Sequence, residues 1–148
     1  MPTKKALPPS PGSSSVTVNL KAVEWLGHES AMSSLPIDVK RGGGYALHFV
    51  QVGEDPPNWS SMETIGSGAK EIRLQDAQGW YRIFYVAKLS EAIFILGVIT
   101  KKTNTTSQSD IDNARQKYKD AVKKNSDLKA ISEQKAQATT SKSKREKK

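Results

Sequence analysis

The chain contains no cysteine, only two histidines and no long apolar run. Without cysteine there are no disulfides and no thiolate metal ligands, which is compatible with a reducing cytoplasm. The two histidines, His28 in an expected turn and His48 on an expected helix, form no evident pair for acid–base catalysis. The longest apolar-rich stretch, Ala92 to Ile99, is far shorter than the roughly 20 residues that span a bilayer. The opening MPTKKALPPSPGSSS lacks the apolar core of a signal peptide. A soluble, cytoplasmic protein without a membrane partner is expected. Glycine is present, but neither Gly42–Gly44 nor Gly66-Ser67-Gly68 is followed by the Lys and Ser/Thr of a nucleotide-binding loop. No carboxylate pair has glycosidase or metal-site spacing, so neither metal nor cofactor is expected. The apolar fraction, 36%, lies below the roughly 45–50% of globular domains, so part of the chain is expected outside any core.

Charge is what the chain has, and it is uneven. Residues 1–100 hold 9 Lys/Arg against 9 Asp/Glu, whereas residues 101–148 hold 14 against 6, which accounts for the whole net charge of +8. A basic segment beside a neutral body suits a polyanionic partner, because neutralising phosphates releases counterions.

The length, 148 residues, fits one domain with tails. Residues 1–15, rich in Pro and Ser, are expected to be disordered. A first strand is expected within Val16–Trp25, at least in its second half. One or two helical turns follow over His28–Leu35, and Pro36 suits the first turn of a second helix. Gly42, Gly43 and Gly44 interrupt that helix, each costing about 1 kcal/mol relative to Ala, so a kink or break is expected unless packing overrides it. Gly53–Trp59, with Pro56-Pro57, reads as a loop. Lys70–Gln75 alternates, Asp76–Gly79 is a hairpin turn, and Trp80–Lys88 and Glu91–Thr100 are strands rich in Ile, Val, Phe and Tyr. By parity Tyr81 and Tyr85 oppose Arg82 and belong to the core. Ser109 with Asp112 reads as a capping box for a last helix carrying the stripe Ile111, Ala114, Tyr118, Ala121 and Val122. Residues 125–148 are expected to be a basic tail, disordered or a frayed helix.

Five cations, Lys70, Arg73, Arg82, Lys101 and Lys102, are expected to project from one face of this small sheet. Such a cluster can hold a phosphodiester and stabilise the extra negative charge of a phosphorane-like transition state. Arginine adds planar bidentate donation to phosphate. Each of these side chains is also a plausible surface partner of Glu71, Asp76 or Glu91.

The segments LKAVEWLGHESAMSSLP, YALHFVQVGEDPPNW, GAKEIRLQDAQGWYRIFYVAKLSEAIFILG and KKTNTTSQSDIDNARQKY resemble, in order and spacing, the phage-derived HigB-like branch of the RelE/ParE toxin superfamily. The likeness spans about Leu20 to Val122, within an expected domain over residues 16–124. It implies an α+β fold, a small twisted antiparallel sheet with N-terminal helices packed on it and a C-terminal helix. It also implies the toxin of a type II toxin–antitoxin system: a ribosome-dependent mRNA endoribonuclease whose nucleophile is the substrate's own 2′-hydroxyl. Its partners would be a cognate helix-turn-helix antitoxin, bound as a hetero-oligomer, and the ribosome with its mRNA. Arg73, Arg82 and Lys102 then correspond to catalytic positions, and Lys70, Lys101 and Thr103 to RNA- or ribosome-binding ones. The sequence departs from the pattern in three places. Thr105 replaces the last lysine of the turn, Ile99 replaces an aromatic residue that would offer a stacking platform, and the glycine triplet interrupts a helix. A gyrase-binding toxin of the ParE kind and an inactive RNA-binding remnant are the alternative readings.

Overall fold

A computed structural model describes residues 20–103 and 105–146, with side chains described as far as residue 135. The expected disordered segment 1–15, and the start of the first expected strand, lie outside the described residues.

Alternation over Lys70–Gln75 and a density of Ile, Val, Phe and Tyr after it build the sheet. β3 (Ala69–Asp76) and β4 (Gly79–Val86) form a hairpin whose register pairs Ile72 with Ile83 and Arg73 with Arg82. The Asp76 carboxylate sets its tip, accepting hydrogen bonds from the backbone N–H groups of Gln78 and Gly79 and from the Tyr81 hydroxyl, at 2.9–3.1 Å. β5 (Ile93–Lys101) continues the sheet antiparallel to β4, with an irregularity beside Phe84 and Tyr85. β1 (Val23–Glu24) joins the far side of β5 in parallel, and β2 (Trp59–Ser61) closes the other edge against β3. The order is β1-β5-β4-β3-β2. The first strand is thus only two residues long, and β2 was absent from the expected elements because Trp59–Ser61 follows a proline-rich loop and is too short to show alternation.

Alternation gives the sheet two apolar faces. On one, Ile72, Tyr81, Ile83, Tyr85, Ile93 and Ile95 pack against Met32 of α1 (Glu29–Ser33) and Val39, Ala46, Leu47 and Val50 of α2 (Ile37–Gln51). Tyr81 and Tyr85 are buried there, as parity requires. On the other face Ala69, Phe84, Val86, Phe94 and Leu96 pack against Ala114 and Ala121 of α3 (Gln108–Glu146), with Ile111, Tyr118 and Leu128 beside them. The fold is therefore α+β, with the N-terminal helices on one face of the sheet and the C-terminal helix on the other.

Helix α2 runs unbroken through its three glycines. The reason is packing: a Cβ on Gly43 would stand 2.9 Å from Met32 Cε and 3.1 Å from Ile83 Cδ1. Burial of the apolar face against the sheet outweighs the glycine entropy cost of about 1 kcal/mol per residue.

Helix α3 begins one residue before the expected cap. Ser107 and Asp110 form the reciprocal pair instead: Asp110 N–H donates to Ser107 Oγ at 3.2 Å and Ser107 N–H donates to the Asp110 carboxylate at 3.3 Å. Asp112 instead accepts from the Gln108 side chain and pairs with Arg115. The spacing of three was right and its position two residues late. Within the stripe Val122 is 45% exposed, while Ala114 and Ala121 are buried. The helix continues through the expected tail to Glu146. No helix among the described residues is long and apolar enough to cross a membrane.

Candidate functional site

The hairpin register places Arg73 and Arg82 directly opposite each other on the α3-side face of the sheet. Two guanidiniums across an antiparallel pair repel one another. Glu71 resolves the conflict. It precedes Arg73 by two residues on the same face and lies diagonal to Arg82, and one of its carboxylate oxygens accepts from Arg82 at 2.7 Å. The other oxygen accepts from Ser60 Oγ at 2.7 Å and from Arg73 at 3.5 Å. Ser60 Oγ in turn accepts from Arg73 at 3.1 Å, and β2 brings it there by pairing Ser60 with Glu71.

The two arginines are not equivalent. The Arg82 side chain is 9% exposed and lies at short range on a carboxylate that is itself 5% exposed. The Arg73 side chain is 41% exposed and holds Glu71 only at the limit of hydrogen bonding. Arg73 lines an open depression with Asn58, Leu74, Gln75 and Trp80. It is therefore the arginine that an incoming anion can engage. Arg82, with Glu71, is a buried ion pair whose geometry is fixed by the sheet.

Lys101 ends β5 beside the hairpin tip, and Lys102 follows it. A Cβ on Gly79 would stand 2.7 Å from the Lys101 carbonyl oxygen and 3.9 Å from Lys102 Cα, so the Lys-Lys-Thr turn lies flush against the hairpin only because position 79 has no side chain. Lys101 is the cross-strand partner of Trp80, and its ammonium pairs with Asp110 at 2.9 Å. Burial works to raise the Asp110 carboxyl, but hydrogen bonds from Lys101 and Ser107 outweigh it and hold it below the ordinary carboxylate range. Lys101 thus ties the end of the sheet to the start of α3. Lys102 is exposed, and so is Thr103, whose hydroxyl hydrogen-bonds that of Thr105 at 2.9 Å.

Lys70 does not join this group. It is out of phase with Glu71 and Arg73, so it points to the opposite face, where it pairs with Asp55 at 3.0 Å and lies 4.4 Å above the Trp59 ring. The expectation that all five cations share one face is therefore not met. Arg73, Arg82 and Lys101 share one, with Lys102 at its rim.

Two contributors, Ser60 and Trp80, went unnoticed in the sequence, and Glu71 was expected only as a surface partner of the cations. Glu71 carried a legible signal, the i, i+2 spacing to Arg73 on one strand face, but its place between two arginines needed the hairpin register. Ser60 gave none, because its strand was not legible. Trp80 shares a face with Arg82 by the same parity. The histidines lie elsewhere. His28 precedes α1, where burial first and the nearby Lys117 ammonium second lower its pKa, against a backbone hydrogen bond at Leu96. His48 is exposed near the end of α2. Among the described residues no cluster of three or more His, Asp or Glu side chains could hold a metal ion.

No curated protein and no solved structure shows a significant match to the chain. A family model does match residues 30–119, that of phage derived protein Gp49-like (DUF891), a family associated with the toxins of toxin–antitoxin pairs. The match runs from α1 into α3 and takes in Glu71, Arg73, Trp80, Arg82 and the Lys-Lys-Thr turn. Since it covers more than half of the chain, the protein belongs to the Gp49-like family of phage-derived proteins.

Proposed function

We propose that the protein is the toxin of a type II toxin–antitoxin pair, of the HigB-like kind, and acts as a ribosome-dependent mRNA endoribonuclease. The observation that carries this reading is the pair of arginines placed opposite each other across β3 and β4, one locked to a buried carboxylate and one left open to solvent. Membership of a toxin-associated family supports it.

In the proposed reaction a ribose 2′-oxygen attacks the adjacent phosphorus and the 5′-oxygen of the next nucleotide leaves. The products are a 2′,3′-cyclic phosphate and a 5′-hydroxyl end, with one proton lost from the nucleophile and one gained by the leaving group. Arg73 binds a non-bridging oxygen of the scissile phosphate. Arg82 adds positive potential from beneath, where charge on the phosphorane oxygens develops in a partly dry site. Lys102 holds the flanking phosphate, with Lys101 and Thr103 as its neighbours in the Lys-Lys-Thr turn. Lys70, on the other face, would serve only as a contact to ribosomal RNA. Orientation of the 2′-hydroxyl comes from the ribosome, which also positions the mRNA, and this suits a site without a histidine pair. A helix-turn-helix antitoxin and a cytoplasmic location belong to the same reading.

The test is addition of purified protein to a translating extract, with 5′-end mapping of the mRNA. Ribosome-dependent cuts are expected with wild type and none with Arg73→Ala, whose side chain is exposed enough to remove without unfolding. Intact mRNA with wild type at inhibitory concentrations refutes the nuclease. Inhibition of gyrase supercoiling would then select a non-enzymatic toxin, and harmless expression without a partner would select an inactive remnant.

A further inference from the structure

On the opposite face of the sheet from Arg73 and Arg82, towards the open end of the β3–β4 hairpin, lies a pocket of about 340 Å³. The end of α2 and the loop after it form one wall, and the start of β3 and the end of β4 form another. Its size is at the lower end of small-molecule sites, which run from roughly 300 to 1,000 Å³. Val50 and Tyr85 give it an apolar floor, and Lys21, Asp55 and Lys88 stand around it.

The polar groups of this pocket are held in place but not used up. Tyr85 is 1% exposed, and among the described residues its hydroxyl has no hydrogen-bond partner. Such a group is costly to leave unpaired. Burial first and the Asp55 charge second push its pKa up, so it stays a donor. The Lys21 backbone is tied twice to Gln51: its N–H donates to the Gln51 carbonyl at 3.2 Å, and the Gln51 amide donates to its carbonyl at 2.9 Å. The Lys21 ammonium donates to the carbonyls of Ala87 and Leu89, which uses two of its three protons. Lys88 donates to the Ser67 hydroxyl at 2.8 Å, and its stem crosses Gly68, where a Cβ would stand 2.7 Å from Lys88 Cδ. All these acceptors are neutral, and among the described residues neither lysine forms an ion pair. Asp55 accepts from Lys70 at 3.0 Å through one oxygen, and Lys70 is the cross-strand partner of Tyr85. The carboxylate thus stands at the level of residue 85, while Lys21 reaches Ala87, two residues or about 7 Å farther along the chain.

We propose that this pocket binds a small sugar phosphate, either free or as the ribose phosphate of a mononucleotide. The two signs of charge select that chemistry. A phosphate dianion takes the Lys21 and Lys88 ammoniums in charge-assisted hydrogen bonds. Sugar hydroxyls donate to the Asp55 carboxylate and accept from the Tyr85 hydroxyl, as only a group that is both donor and acceptor does. A bare anion would leave Tyr85 unpaired and face the Asp55 charge, and an uncharged sugar would leave both ammoniums unused. The site stands apart from the nuclease reading, since none of Lys21, Asp55, Tyr85 and Lys88 has a part in that reaction. All four are binding residues.

The experiment is calorimetric titration of the full chain at neutral pH with ribose 5-phosphate, adenosine 5′-monophosphate, inorganic phosphate and ribose. Saturable binding of ribose 5-phosphate is expected, with inorganic phosphate and ribose each weaker by about ten-fold or more. Adenosine monophosphate binding as tightly as ribose 5-phosphate identifies a nucleotide site, and its exclusion identifies a site for the free sugar phosphate; either outcome supports the pocket. Lys88→Gln is expected to lose about ten-fold in affinity, and Tyr85→Phe, which keeps the ring and removes only the hydroxyl, about three-fold or more. Arg73→Ala is expected to bind like wild type, because the arginines lie on the other face. If Tyr85→Phe fails to fold, Lys88→Gln, at an exposed side chain, decides together with the ligand series. No binding of either sugar phosphate, inorganic phosphate binding as tightly as ribose 5-phosphate, wild-type affinity in Lys88→Gln or in folded Tyr85→Phe, or loss of binding in Arg73→Ala overturns the site.

Discussion

The α3-side face of the sheet is divided into two halves built from the same strands. In one, Phe84, Val86, Phe94 and Leu96 lie under α3 and are fully buried. In the other, beyond the start of that helix, the same strands carry Arg73, Trp80 and Lys101 in partial contact with solvent, around the buried Arg82. The backbone does not change between them. What changes is whether a helix stands above the strands, and the side chains follow: apolar under the helix and cationic beyond it, with Arg82 alone among these cations buried, on the Glu71 carboxylate. The carboxylate of Glu71 lies at the boundary, sealed like the first half and charged like the second.

This comparison predicts a graded response to substitution. The largest loss of stability belongs to the covered half: Phe84→Ala should cost about 3–5 kcal/mol through lost burial and an unfilled cavity, read as the shift in denaturant midpoint. A cost under about 1 kcal/mol would mean that α3 does not seal that face. Next comes the boundary. Glu71→Ala leaves the two arginines facing each other without the carboxylate that joins them, and should cost about 3 kcal/mol. Glu71→Gln should cost less, since it keeps a hydrogen-bonding partner for Ser60.

The open half should be nearly silent for stability. Arg73→Ala should change it by about 1 kcal/mol or less, as exposed pairs do, while abolishing mRNA cleavage in the translating extract. A large loss of stability there would make Arg73 a structural residue and the division of the face false. The smallest effect belongs to the tie between the halves. The Asp110 carboxyl is held below its ordinary range, so its contribution to stability is present above about pH 4, its unfolded value, and is lost as pH falls through the lower folded value. Thermal unfolding of wild type and Asp110→Asn should therefore differ at pH 6–7 and converge as the pH falls through the lowered folded value. A difference that persists in acid would show that the carboxylate's charge is not what matters.

Much of this was legible in the chain, and the reasons are local. The first strand of the hairpin announces itself by alternation and the next two by their density of Ile, Val, Phe and Tyr, and parity alone sends Tyr81 and Tyr85 to one face and Arg82 to the other. The same parity set Lys70 against Arg73, a consequence that the density of nearby cations concealed. The cap at Ser107 rather than Ser109 shows the limit of local signals, since 107–112 offers two overlapping acceptor pairs at the same spacing. Strand β2, and with it Ser60, was not legible, because three residues carry no period and their hydrogen bonds belong to a partner strand.

The sequence by itself determined the α+β architecture, the concentration of charge after residue 100 and the identity of the cations on the central hairpin. All are set by short-range chemistry: alternation, turn residues and net charge. Only the tertiary structure decided that α2 passes straight through three glycines, that Glu71 stands between Arg73 and Arg82 and that Lys70 faces away. Each of these depends on which strand or helix lies alongside, and the free energy of burial that settles it is shared between residues far apart in the chain.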